Sequence, residues 1–255
     1  MDTGSKTIDL KLPTRWEELS QKQLRYLFDL IAQGYSIDEV KAFCLFRWNK
    51  ITILHRYGEK GYMCKKRKQR FVVTAAQVTA AVAALDWIKT LPATPVRIAR
   101  IGSRQAVAAD FQGVPFETFI ICDNLYQGYI STQNEQLLEE MATHLYRSKC
   151  FSLIIRLSSA DRIGIFYWFA SLKAMLSRQF HNFLQPVPQD NANLLDSDKS
   201  QYEILTAAVN AQIRALTKGD VTKEKQVLAL DTWRALTELD ALAKEFEELN
   251  KRVPR

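Results

Sequence analysis

The side chains that most often hold metals or perform catalysis are few and scattered in this sequence. The three histidines are His55, His144 and His181, and none of them lies within five residues of another. The four cysteines are separated by 20, 58 and 28 positions, which is neither zinc-ligand nor redox-motif spacing: Cys44, Cys64, Cys122 and Cys150. We therefore expect no metal ion and no cofactor, and the free thiols favour a reducing cytoplasm.

Two catalytic arrangements could still arise through tertiary contact. Cys150 could meet His144 or His181 as a nucleophile and its base. Asp110, Glu117 and Asp123 could together bind a metal ion, although their spacing fits no loop motif. The chain has no phosphate-binding glycine loop and no Gly-x-Ser-x-Gly elbow, and it has only nine glycines. A catalytic function is therefore not expected, and no catalytic residue is predicted.

The strongest local feature is a basic segment at residues 56–70. The segment contains one acidic residue, Glu59, and seven cationic residues: Arg56, Lys60, Lys65, Lys66, Arg67, Lys68 and Arg70. Its net charge of +6 therefore accounts for most of the total formal charge of +7. Tyr57, Tyr62 and Phe71 lie among these cations. Cations neutralise phosphates and aromatic rings stack on unpaired bases, so nucleic acid is one candidate partner. An acidic protein surface or simple solvation would also suit this composition.

Most of the remaining chain has helical periodicity. Leu24, Leu27, Phe28 and Ile31 recur at i, i+3, i+4 and i+7, after a capping-box pair formed by Ser20 and Gln23. Similar pairs begin further helices at Ser36 and Thr74. The most apolar run, Ile163–Ala170, is much shorter than the roughly 20 residues of a membrane span, so no membrane contact is expected.

These patterns predict a mainly α fold: a multi-helix globular domain with a few short strands, plus a C-terminal antiparallel helical hairpin. The expected domain spans residues 1–186 and carries a basic loop at 56–70. Residues 187–200 are rich in Pro, Asp, Asn and Ser and form the predicted linker. The hairpin spans 201–255, and its acidic stretch 220–250 has eight Asp or Glu against four Lys or Arg.

The segment 12–23, LPTRWEELSQKQ, resembles the opening of tail assembly chaperones and related tail-associated proteins of tailed phages and prophages. Those proteins begin with a short strand, Leu-Pro, a spaced Trp, Glu-Leu-Thr/Ser, and a Gln at the start of an amphipathic helix. The likeness covers about 20 of 255 residues. It implies a non-enzymatic assembly factor or virion structural protein, located in the bacterial cytoplasm or the virion. Its partners would be other phage structural proteins or a second copy.

Two candidate sites follow. For the leading function, protein–protein contact, the interface is expected at Trp16 and along the heptad stripe of the last helix: Leu239, Leu242, Phe246 and Leu249. The alternative function is nucleic-acid binding through the basic segment. That site comprises the seven cations named above together with Tyr62.

Overall fold

Helices dominate this protein, as its computed structural model shows for residues 9–58, 61–147, 156–184, 211–217 and 219–252. The structure is 61% helical, and the strands in these ranges form two small three-stranded sheets. The predicted fold class, mainly α with a few short strands, is therefore confirmed.

The chain divides into two compact units. One contains Met1–Pro92 and Arg156–Tyr167, and the other contains Ala93–Ile155 and Trp168–Arg255. The predicted linker 187–200 lies outside the described residues, so the boundaries 1–186 and 201–255 stay a prediction.

The helices of the first unit begin where local hydrogen bonding predicts. Ser20, Ser36 and Thr74 each accept the backbone N–H three residues on, and the side chain at that position accepts the cap's own N–H. The helices that follow these caps are α1 (Gln21–Ala32), α2 (Ile37–Trp48) and α3 (Ala75–Val82). Short 3-10 helices span Trp16–Glu18 and Ala83–Lys89.

The predicted basic loop at 56–70 is wrong, because most of this segment belongs to a sheet. Strands β1 (Ile51–Arg56), β2 (Tyr62–Lys66) and β3 (Gln69–Val73) pair antiparallel in that order. The pairing of β1 with β2 shifts register between Ile53 and His55. Strands β2 and β3 form an antiparallel hairpin whose turn contains Arg67 and Lys68.

Trp16 belongs to the core of the first unit, which corrects its prediction as an interface residue. Its side chain is 4% exposed, and its indole N–H donates to the Thr90 carbonyl at 2.9 Å. Its ring lies 5.4 Å from that of Trp87 and 6.2 Å from that of Phe28, measured between centroids. A partner protein cannot contact Trp16 without opening this cluster.

The second unit packs helices around an aromatic core. Its elements are β4 (Arg100–Ile101), β5 (Arg104–Ala106), α4 (Phe116–Thr132), α5 (Glu135–Leu145) and β6 (Tyr146–Arg147). Helix α6 (Ser159–Gln179) contributes its residues from Trp168 onward. Residues 211–217 are also helical (α7), followed by a 3-10 turn at Val221–Lys223, α8 (Glu224–Leu228) and α9 (Thr232–Arg252).

The first half of α9 is anchored in the second unit. Thr232 donates its backbone N–H to the Val114 carbonyl at 2.9 Å, and Phe116 donates to Leu230 at 2.8 Å. Further along the helix, the Asp240 carboxylate accepts the backbone N–H groups of Asn182 and Phe183. Burial acts to raise the pKa of Asp240, but a hydrogen bond from the Asn182 side chain and the two from these backbone N–H groups outweigh it and lower that pKa.

Candidate anion-binding groove

A groove of about 810 Å³ lies in the first unit beside the turn that joins β2 to β3. We call it the basic groove, and its lining consists of Asp9, Lys11, Trp48, Asn49, Lys50, Lys66, Arg67, Lys68 and Gln69. Five of these side chains are cationic and one is a carboxylate, so the lining carries a net charge of +4. Such a concentration of one sign favours anionic ligands.

Three separate segments build the groove and are joined by hydrogen bonds. The backbone N–H of Lys11 donates to Asn49 Oδ1 at 2.9 Å. Asn49 Nδ2 in turn donates to the Leu45 carbonyl at 3.0 Å, at the end of α2. On the other side, Lys66 Nζ donates to the Asp9 carbonyl oxygen at 2.7 Å. The groove is therefore part of the folded framework of this unit.

Two groove cations occupy left-handed backbone conformations. Lys50 has φ of 54° and Arg67 has φ of 55°, a region where glycine or asparagine is the easier residue. Holding another residue type there typically costs on the order of 1–3 kcal/mol. The chain thus places long cationic side chains at two turns where a smaller residue would fold more easily.

In the part of the chain that the structure describes, none of the five groove cations forms an ion pair with a carboxylate. Other lysines are paired: Lys41 contacts Asp38 and Asp86 at 2.7 and 2.8 Å. Uncompensated cations around a concavity leave a positive potential for a ligand to neutralise.

The strand register separates the predicted basic residues into two sets. Lys65 pairs with Arg70 and Thr52, whereas Lys66 pairs with Gln69 and Ile51. Because successive strand residues point to opposite faces, Lys65 and Arg70 lie on the face opposite to the groove residue Lys66. We call the exposed side that carries Thr52, Lys65 and Arg70 the open face.

The predicted nucleic-acid site is therefore only partly assembled. Lys66, Arg67 and Lys68 line the groove, and Lys65 and Arg70 do not. Arg56 pairs with Tyr62 at the far end of β2, and Lys60 lies outside the described residues. Sequence reasoning missed six lining residues: Asp9, Lys11, Trp48, Asn49, Lys50 and Gln69. The only local signal for any of them was the polar pair Asn49 and Lys50 directly after α2.

Three of the four cysteines lie in the described residues, and all three are buried. Burial raises the pKa of Cys44 to about 12 and also raises the pKa values of Cys64 and Cys122, which makes these thiols poor nucleophiles. Cys150 lies outside the described residues. Within the described ranges, no three His, Cys, Asp or Glu side chains are grouped as metal ligands, the three predicted acids included.

The predicted stripe of the last helix is divided between core and surface. Leu239 is 2% exposed and packs in the core, which corrects its prediction as an interface residue, and Leu242 is half-buried. Phe246 and Leu249 are 67% and 60% exposed. The end of α9 therefore presents two apolar side chains to solvent.

Comparisons with protein-family models, with curated proteins and with solved structures found no match. The resemblance to phage tail proteins thus depends on residues 12–23. Among the described helices, none combines the length and the apolar composition needed to cross a membrane.

Proposed function

We propose that this chain is a non-enzymatic binding protein whose basic groove holds the phosphate backbone of a nucleic acid. The observation that carries the proposal is a groove lined by five cations from three segments, none ion-paired with a carboxylate among the described residues. Nucleic acids present closely spaced negative charges, and their binding to cations is driven largely by counterion release.

The backbone conformations of Lys50 and Arg67 support the same proposal. Lys50 follows the end of α2 and Arg67 lies in the turn between β2 and β3, and at both kinds of position glycine or asparagine adopts a left-handed conformation with less strain. Strained positions often mark binding sites, because a local cost is retained where the side chain serves a ligand. Of the four non-glycine residues with positive φ in the described chain, Lys50 and Arg67 are cations of one groove, and Phe111 and Gln133 lie outside it.

Binding of a fluorescently labelled oligonucleotide should be tight at low salt and weaken steeply as salt rises. With five cations engaged, the plot of log binding constant against log salt should have a slope of up to about −3.5 for a single strand. Fluorescence anisotropy at several salt concentrations measures this slope. A flat salt response, or no binding at low ionic strength, would contradict the proposal.

A second candidate function is the phage-type assembly or virion role, exercised through protein contacts at the end of α9. The observation that favours it is the exposure of Phe246 and Leu249 beyond the anchored part of this helix. Exposed apolar side chains at helical spacing are typical of surfaces that bind another helix. The partner would be another phage structural protein or a second copy of this chain.

Replacing Phe246 and Leu249 together by Ser should abolish self-association or partner capture while changing stability by less than about 0.5 kcal/mol, because both side chains are exposed. Size-exclusion chromatography with light scattering, and retention of purified phage structural proteins, provide the readouts. The matched control is Glu247→Ser with Glu248→Ser on the same helical turns. A wild-type chain that is monomeric and retains no such protein would eliminate this role.

A further inference from the structure

We infer that the ligand of the basic groove is an unpaired nucleic-acid strand and not a duplex. This inference rests on the proposed function and specifies its ligand. The groove has a volume of about 810 Å³. Cavities of roughly 300–1,000 Å³ accommodate small organic ligands, so a space of this size can admit an unstacked base of a single strand. The bases of a duplex are paired and stacked in its interior, so a duplex would meet the groove only with its phosphates.

The lining offers contacts that only unpaired bases can use. Trp48 supplies an aromatic wall, and Gln69 supplies an amide group beside the cations. Aromatic side chains stack on the faces of exposed bases, which in a duplex are covered by neighbouring base pairs. A groove that binds phosphates alone would not need the aromatic ring.

Trp48 also carries a polar atom without a partner. Its indole Nε1 is buried and has no hydrogen-bond acceptor in the part of the chain that is described. A buried donor left unsatisfied is unfavourable, and native proteins rarely keep one without a reason. Base carbonyl and ring-nitrogen atoms are suitable acceptors for this donor.

The two faces of the hairpin separate this inference from general attraction between opposite charges. The open face carries Lys65 and Arg70 directly opposite each other on neighbouring strands. An exposed sheet surface of this kind can meet a duplex or an acidic protein without any concavity. If a single strand occupies the groove, charge on the open face contributes only at longer range, where salt screens it.

The test compares two double variants that each remove two positive charges. Lys11→Ala with Lys68→Ala alters the groove, and Lys65→Ala with Arg70→Ala alters the open face. The probes are a labelled 12-nucleotide oligothymidylate and a 12-base-pair duplex.

We expect the single strand to bind at least about tenfold more tightly than the duplex. The groove variant should weaken single-strand binding about tenfold or more and make the salt slope shallower by about 1.4. The open-face variant should weaken it less than about threefold.

A further variant tests the base contacts. Trp48→Phe removes the unpaired donor and keeps an aromatic ring, so it should weaken oligothymidylate binding several-fold without lowering the melting temperature. Unchanged binding in this variant would overturn the assignment of base contacts to Trp48 and with it the argument for an unpaired strand.

The outcomes distinguish this inference from the proposed function. Duplex binding as tight as single-strand binding, or equal losses in the two double variants, would overturn the single-strand inference and leave nucleic-acid binding intact. Failure of both probes to bind at low salt would overturn both. Displacement of the oligonucleotide by polyglutamate at equal charge concentration would show that the groove binds an acidic chain without regard to bases, which also overturns the inference.

Discussion

Trp168→Ala is expected to lower the free energy of unfolding by about 3–5 kcal/mol, the range typical of aromatic-to-alanine changes in a core. Trp168 is 1% exposed, and its indole N–H donates to the Ala109 carbonyl at 2.8 Å. Its ring meets those of Phe111 and Tyr146 edge-on, with centroids 6.2 and 6.0 Å away. The substitution leaves a cavity in the second unit together with a carbonyl that has lost its donor.

Urea denaturation followed by circular dichroism measures this loss. Trp168→Phe is the matched control, because it keeps most of the ring and removes the hydrogen bond. Its cost should be smaller, about 1–3 kcal/mol for an unsatisfied buried group. A loss below about 1 kcal/mol for Trp168→Ala would contradict the placement of this residue at the centre of the core.

Asp161→Ala is expected to destabilise the first unit by about 2–4 kcal/mol, through loss of a helix cap and of a charge pair. Asp161 is 5% exposed and accepts hydrogen bonds from the backbone N–H and hydroxyl of Ser158, at 3.1 and 2.7 Å. It also pairs with Arg25 at 2.6 Å. The Arg25 side chain is 39% exposed, so it regains hydration when its partner is removed, which limits the cost.

Thermal and urea unfolding of Asp161→Ala and of Asp161→Asn provide the measurement. Asn keeps an acceptor for the Ser158 cap and loses the charge, so we expect it to cost about 1–2 kcal/mol. Equal effects of the two substitutions would show that the charge pair with Arg25 alone carries the stabilisation. Wild-type stability of Asp161→Ala would refute both roles.

The two candidate functions use different parts of the chain and do not exclude each other. The basic groove belongs to the first unit, and the exposed end of α9 belongs to the second. A phage-type factor that contacts nucleic acid through one and a structural protein through the other would use both. The groove variants and the Phe246 and Leu249 variant should therefore affect separate measurements.

The sequence by itself determined the helix starts and the fold class. Ser20, Ser36 and Thr74 cap helices as predicted, because capping depends on side chains within four residues of the cap. The strands at 51–73 were less readable. Strand β2 lacks a clear alternation of apolar and polar residues, because it contains two lysines and only Cys64 is fully buried. Local charge therefore indicated a loop where cross-strand pairing forms a sheet.

Only the tertiary structure decided which predicted surfaces are exposed and where the groove lies. Periodicity identified Leu239 and Phe246 as one apolar stripe, but neighbouring elements cover the first and leave the second exposed. The groove combines Lys11, Lys50 and Lys68, which are far apart along the chain. Helix capping and periodicity are local properties and can be read from neighbouring residues. Burial and the convergence of charges depend on contacts between distant segments, which no short stretch of sequence encodes.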